Sequence, residues 1–239
     1  MINGQINEEI LYSEYLQEEV PLLIYMPDTY MPMQTYQLLI ASDGKDYFQY
    51  GKLGAVVQEL MDESEIEDTI VVGIPYQDKY IRREMYHPEG EKQAAYIRFV
   101  AEELLPFLEE RLSLEKNREA RGLIGDSLAA TVSLMIATTY PHLFSRVAMH
   151  SPFSNETVIE AVTTLDDTLP FTFYHVIGTE EHKVATTGDG IQNFLEPNRE
   201  LHRIFQKKQS DYFFEEFEGN HTWKYWQKDV PRAVYQMFQ

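Results

Sequence analysis

Along this chain, short apolar runs alternate with longer segments whose apolar residues recur at helical spacing. Residues 5–16 mix Ile6, Ile10, Leu11, Tyr12 and Tyr15 with acids, residues 20–26 are an apolar run that ends before Pro27, and residues 37–42 form a third that stops at Asp43-Gly44. Short apolar runs closed by turn residues predict buried strands. Residues 51–62 carry Leu53, Val56, Val57, Leu60 and Met61 at the spacing of a helix face. Residues 69–74 read as a buried strand ending at Pro75. Residues 92–112 set Ile97, Val100, Ala101, Leu104, Leu105, Leu108 and Leu112 on one helical face, with Pro106 expected to kink or split the helix. Further strands are predicted over 120–125, 146–150, 171–177 and 211–217. Helices are predicted over 128–139, 192–208 and 222–237, with Pro197 in the first turn of its helix, where a missing N–H is tolerated. The alternation implies an α/β fold, a mostly parallel central sheet with helices on both faces. Catalytic groups of such folds sit on loops beyond the strand C-termini.

Composition narrows the class. A length of 239 residues suits one domain with a sizeable core, and 44% hydrophobic with 25% charged residues is a globular balance. The net charge of -19 is spread along the chain as a solvated acidic surface, and its field repels phosphate, so nucleic acid and anionic membranes are poor partners. The absence of cysteine excludes disulfides, a thiol nucleophile and thiolate metal sites. Residues 1–20 hold five glutamates and no basic start or apolar run, which is not a signal peptide, and no stretch approaches the ~20 apolar residues of a bilayer span. A cytoplasmic location is therefore expected. A homo-oligomer is compatible with the sequence, which does not reveal oligomeric state.

The most informative segment is Gly122-Leu123-Ile124-Gly125-Asp126-Ser127-Leu128-Ala129-Ala130. It runs from an apolar strand through a short turn into an apolar helix, the layout of a nucleophile elbow, with Gly125 and Ala129 as the small residues that let strand and helix approach. A serine there can also simply cap the helix. Residues 125–128 spell Gly-Asp-Ser-Leu, a motif that names another hydrolase family. There, however, the motif follows the first strand, whereas several elements precede it here, so the match is coincidental.

Among seven histidines, His221 follows the strand 211–217 and precedes the last helix, at the same sheet edge as Ser127. A neutral imidazole there can take the Ser127 proton and later deliver it to a leaving group. His150, after strand 146–149, is the competitor. An acid that orients the imidazole is expected between the two, and strand 171–177 ends in Gly178-Thr179-Glu180-Glu181. Glu181 is the preferred candidate, Glu180 the alternative, and Asp189 and Asp166 are weaker. An oxyanion hole needs two backbone donors, for which the N–H groups of Leu128 and Lys45 are the candidates. Gly44, His150 and Trp223 are candidate pocket residues. Tyr47, Tyr76, Tyr80 and Trp226 could join them in an aromatic wall or serve as core.

Taken together, these residues resemble the putative esterase family, which includes esterase D-like proteins, enterochelin esterases, feruloyl esterases and mycolyltransferases. The resemblance runs from about residue 20 to residue 230. Its pieces are 38–44 (LLIASDG), 72–75 (VGIP), 102–106 (EELLP), 125–129 (GDSLA), 141–144, Ser151-Pro152, 178–181 (GTEE) and 219–223 (GNHTW). It implies a serine triad on a compact α/β-hydrolase fold with no metal and no cofactor. Ser127 would be the nucleophile, Glu181 the acid and His221 the base, with the second oxyanion donor just after Asp43-Gly44. Ala129, Ala130 and Asn220 stand where the family usually has glycine. The function implied is cleavage of small carboxylic esters through an acyl-enzyme. The alternatives are acyl transfer by the same triad, or a non-catalytic binding protein on the same fold.

Overall fold

The computed structural model describes residue 1 and residues 3–239. An eight-stranded sheet runs in the order β1-β2-β4-β3-β5-β6-β7-β10. Its first pair, β1 (Ile6–Ser13) and β2 (Glu18–Tyr25), is antiparallel, and β2 also runs antiparallel to β4 (Thr69–Ile74). From β4 onward, all neighbours are parallel: β3 (Gln37–Ser42), β5 (Arg121–Asp126), β6 (Arg146–His150), β7 (Thr172–Gly178) and β10 (Asp211–Phe217). This is the mixed, mostly parallel α/β architecture that the strand–helix alternation predicts.

Strand periodicity feeds two cores. In β3, Leu38 and Ile40 enter one apolar cluster and Leu39 and Ala41 the other; Leu123 and Ile124 of β5 divide in the same way. Helices α1 (Gly44–Gln49), α2 (Leu53–Asp62) and α9 (Trp223–Phe238) cover one face through Tyr47, Val57 and Val230. The other face carries α3 (Lys79–Tyr86), α4 (Gln93–Arg98), α5 (Leu105–Arg111), α6 (Leu128–Thr139), α7 (Glu156–Thr163) and α8 (Leu195–Phe205). The burial of both sheet faces explains why the central strands read as unbroken apolar runs.

The structure departs from the sequence expectations at the short elements. Helices α1, α3 and α7 span six to eight residues, too few for periodicity to declare them. Likewise, β8 (Val184–Thr186) and β9 (Gly190–Gln192) form a separate two-stranded hairpin of three-residue strands. The helix expected over 92–112 divides into α4, a π-helical turn (Phe99–Leu104) and α5. The Leu105 N–H reaches back to the Val100 carbonyl, one residue beyond the α pattern. Pro106 has no N–H and its ring would crowd the carbonyl four residues earlier, so the wider turn accommodates it without a break.

The parallel strands deliver their C-terminal loops to one edge. Strand order reverses around β3, whose neighbours are β4 and β5, and ligand sites of open α/β sheets lie at such a switch point. Strand β5 and helix α6 meet closely there: a Cβ on Gly125 would lie 2.3 Å from the Ala129 carbonyl carbon. Gly125→Ala should therefore force these elements apart at a cost of about 1–3 kcal/mol. A thermal melt should register the loss, and an unchanged midpoint would contradict the close approach.

Candidate active site

Ser127 joins β5 to α6 with φ 53° and ψ −127°, a conformation that non-glycine residues rarely hold. Its N–H donates to the His150 carbonyl at 2.8 Å, and its own carbonyl accepts from the Thr131 N–H at 3.1 Å. Its side chain makes no capping hydrogen bond, so the hydroxyl is not spent on the helix. Leu128 opens the first turn of α6, whose N–H groups have no partner within the helix.

Glu181 lies three residues past β7 and is fully buried. Its Oε1 accepts the Gly178 N–H at 2.8 Å, and its Oε2 lies 2.6 Å from Nδ1 of His221, which lies four residues past β10. A carboxylate only accepts, so Nδ1 carries the hydrogen and the lone pair resides on Nε2. Edge contacts hold the imidazole, with Phe194 at 4.6 Å and Trp226 at 4.9 Å between ring centroids. The other acids are engaged elsewhere. Glu180 is exposed, Asp189 pairs with Arg83 (Nε to Oδ2, 2.9 Å), and Asp166 accepts the Thr168 N–H at 2.9 Å.

Ser127 and His221 line one cleft of about 400 Å³. One wall is polar, with Asp43, Asp46, Asp126, Tyr76 and Arg82; the other is apolar, with Phe153, Phe194, Trp223 and Trp226. The β8–β9 hairpin closes one side through Val184, Ala185, Thr186 and Thr187. Among the pocket candidates, Trp223 and Tyr76 line the cleft, as does Trp226. His150 does not. It is fully buried in β6, with Nδ1 2.9 Å from Tyr47 Oη and Nε2 3.1 Å from Asp229 Oδ2. Its side chain thus belongs to the sheet beneath the site, because a residue inside a parallel strand faces a covered layer. Tyr47 shares that burial, and Tyr80 is 60% exposed on α3. Gly44 is also absent from the lining. It packs on the next strand, where a Cβ would lie 2.3 Å from Gly73 Cα. The Lys45 side chain lines a separate hollow beside Pro75 and Tyr76, so only its backbone N–H, in the first turn of α1, remains a candidate donor.

Sequence reasoning missed the charged wall. Arg82 grips Asp43 with Nε at 2.8 Å from each carboxylate oxygen, across 39 residues that carry no motif. Burial would by itself lower the Arg82 pKa, but Asp43 holds it above its ordinary value. Asp126 is 6% exposed and its Oδ1 has no partner. Burial, reinforced by Asp43, pushes its carboxyl well above the usual range; burial and Asp43 also raise Asp46. The hairpin left a trace in the sequence, the turn-rich 186–190 (TTGDG), with Gly188 and Gly190 both at positive φ. Among the described residues, no cluster of three or more His, Asp or Glu could hold a metal ion, and no helix is long and apolar enough to cross a membrane.

The profile of the family described as "Putative esterase" matches residues 13–237. The chain belongs to that esterase family. Membership supports hydrolysis of carboxylic esters. It is 46% identical over 235 residues to the uncharacterized protein YjcH of Bacillus subtilis (strain 168), covering 98% of each chain. Solved structures share the fold at low identity. A ferulic acid esterase matches with a TM-score of 0.77 and 15% identity, over 98% of this chain and 97% of its own. The BES protein of Bacillus cereus matches at 0.78 and 18%, over 100% and 97%. The enterobactin esterase FES of Shigella flexneri, solved with enterobactin, matches at 0.81 and 16%, over 97% of this chain and 58% of its own. These neighbours identify the fold as that of α/β-hydrolase-type esterases.

Asp126 also affects stability. Because its pKa is raised on folding, the folded chain holds this proton more tightly than the unfolded one. The two states differ little below the ordinary value of 3.8; above it, this group's cost grows with pH until the folded carboxyl also ionises. Asp126→Asn should therefore melt higher than the parent at pH 7, with the gain shrinking toward pH 4. A gain that is constant with pH would contradict burial as its source.

Proposed function

We propose that the protein cleaves esters with Ser127 as nucleophile, His221 as general base and Glu181 as the acid that orients it. The observation that carries this reading is His221. Buried Glu181 holds its Nδ1 at 2.6 Å, and its other nitrogen is left to a cleft that Ser127 also lines. In the first step, the Ser127 hydroxyl attacks the ester carbonyl as His221 takes its proton. A Ser127–acyl bond forms, the bond to the alkoxy group breaks, and His221 returns the proton to the departing alcohol. Water, deprotonated by the same imidazole, then attacks the acyl carbon; the Ser127–acyl bond breaks, the acid leaves, and His221 returns the proton to the Ser127 oxygen. The Leu128 N–H, at the start of α6, is the first donor to the oxyanion. The Lys45 N–H is the second, because the Asp46 and Tyr47 N–H groups fold back on the Asp43 carbonyl and leave the preceding amide unused. The strained turn supports the role of Ser127, since such backbone persists where surrounding packing fixes it. The aromatic wall supports esters with an apolar or aromatic part.

The test is a panel of p-nitrophenyl esters of increasing chain length, run beside labelling with a fluorophosphonate probe. The parent should turn over at least one ester and take up the label. Ser127→Ala should lose the label and cut turnover by roughly 10⁴–10⁶, and His221→Ala should fall similarly in turnover. An unlabelled parent without turnover would refute the catalytic reading in favour of a binding protein on this fold.

A further inference from the structure

The structure places a second layer of residues behind the acid. Ser151, the residue just past β6, donates its hydroxyl to Glu181 Oε1 at 2.6 Å and accepts from Trp226 Nε1 at 3.1 Å. The directions follow from the groups. Indole Nε1–H can only donate, so the Ser151 oxygen must accept from it, and its single hydrogen is free for the carboxylate. Oε1 thus receives two donors, Ser151 and the Gly178 N–H, which leaves Oε2 to His221. All three side chains are 3% exposed or less, so no solvent competes for these bonds.

Two further observations single out Ser151. It is a non-glycine residue at φ 52°, held there while its N–H donates to the Val176 carbonyl at 2.8 Å. It also directly follows His150, whose carbonyl accepts the Ser127 N–H at 2.8 Å. The end of β6 therefore braces the nucleophile turn with one residue and the acid with the next. Trp226 acts twice as well. Its N–H fixes the Ser151 hydroxyl, and its ring meets the His221 imidazole at 86°.

We propose that Ser151 and Trp226 are positioning residues for the acid–base pair, forming a relay Trp226–Ser151–Glu181–His221 that locks the tautomer and orientation of the imidazole in the cleft that Ser127 also lines. The proposal rests on the serine-esterase reading and adds a requirement to it. A side chain that merely filled space would be replaceable by one of similar size. The relay instead demands a donor at 151 and an N–H at 226.

The experiment compares Ser151→Cys, Ser151→Ala and Trp226→Phe with the parent. Turnover of a p-nitrophenyl ester, thermal melts and the downfield proton resonance of His221 Nδ1–H are recorded for each. Ser151→Ala should lower kcat by roughly 10–100-fold with KM within about twofold, because misorientation affects the reacting geometry more than binding. Ser151→Cys, with a weaker donor of similar shape, should fall between Ser151→Ala and the parent. Trp226→Phe, which keeps a ring but loses the N–H, should also lower kcat. The downfield resonance should shift or broaden in Ser151→Ala. Parent-like kcat and an unmoved resonance in folded Ser151→Ala would overturn the relay, as would a loss confined to KM. A parent without turnover would refute the esterase reading instead, and the resonance would still decide whether Ser151 orients His221.

Discussion

The close contact of strand β5 with helix α6 is the constraint from which the site is built. With no side chain on Gly125, the strand end rests against the backbone of Ala129 and Ala130. Ser127 is then left in a conformation that turns the chain sharply while leaving its hydroxyl uncommitted to the helix. Alanine at 129 and 130 is compatible with this approach because the contact runs through their backbone atoms, and the missing Cβ that matters is the one at 125. Four further candidate residues are brought to this point by parallel strands: Asp43 by β3, Ser151 by β6, Glu181 by β7 and His221 by β10.

Electrostatics divides the site in two. Behind His221, a fully buried carboxylate is tolerated because hydrogen-bond donors surround it, which replaces the water it has lost. On the facing wall, Asp43 is satisfied by Arg82, but the Asp126 Oδ1 is not satisfied by anything. The same carboxyl group thus serves opposite ends, and the number of donors within reach separates the two cases. The charged wall sets the polarity that a bound ester would meet.

How much was legible in the sequence follows from the range of each signal. The long buried strands and α2, α6 and α9 announced themselves because their periodicity extends over enough residues to be read. Ser127, His221 and Glu181 stand out because each lies within four residues of the end of a strand that the apolar pattern predicts. Residues held by distant partners were not legible: Arg82 on Asp43, Ser151 on Glu181, and Asp229 on His150 bridge 39, 30 and 79 positions with no shared motif. His150 was misplaced for a related reason. A histidine at a strand end can face the cleft or the layer beneath, and neither composition nor spacing distinguishes the two.

The burial of α6 has a consequence for how the protein loses its site. Its residues from Leu128 to Ala137 are all buried, sealed between the sheet and the helices above. Beyond its first turn, the amides of so enclosed a helix should exchange with solvent through opening of the whole fold and not through local fraying. The serine turn is anchored to that helix, so its geometry should persist up to the cooperative transition and disappear with it. The Ser127 turn is thus tied to the global transition, whereas Glu181 and His221 sit on loops beyond β7 and β10 that this burial does not protect.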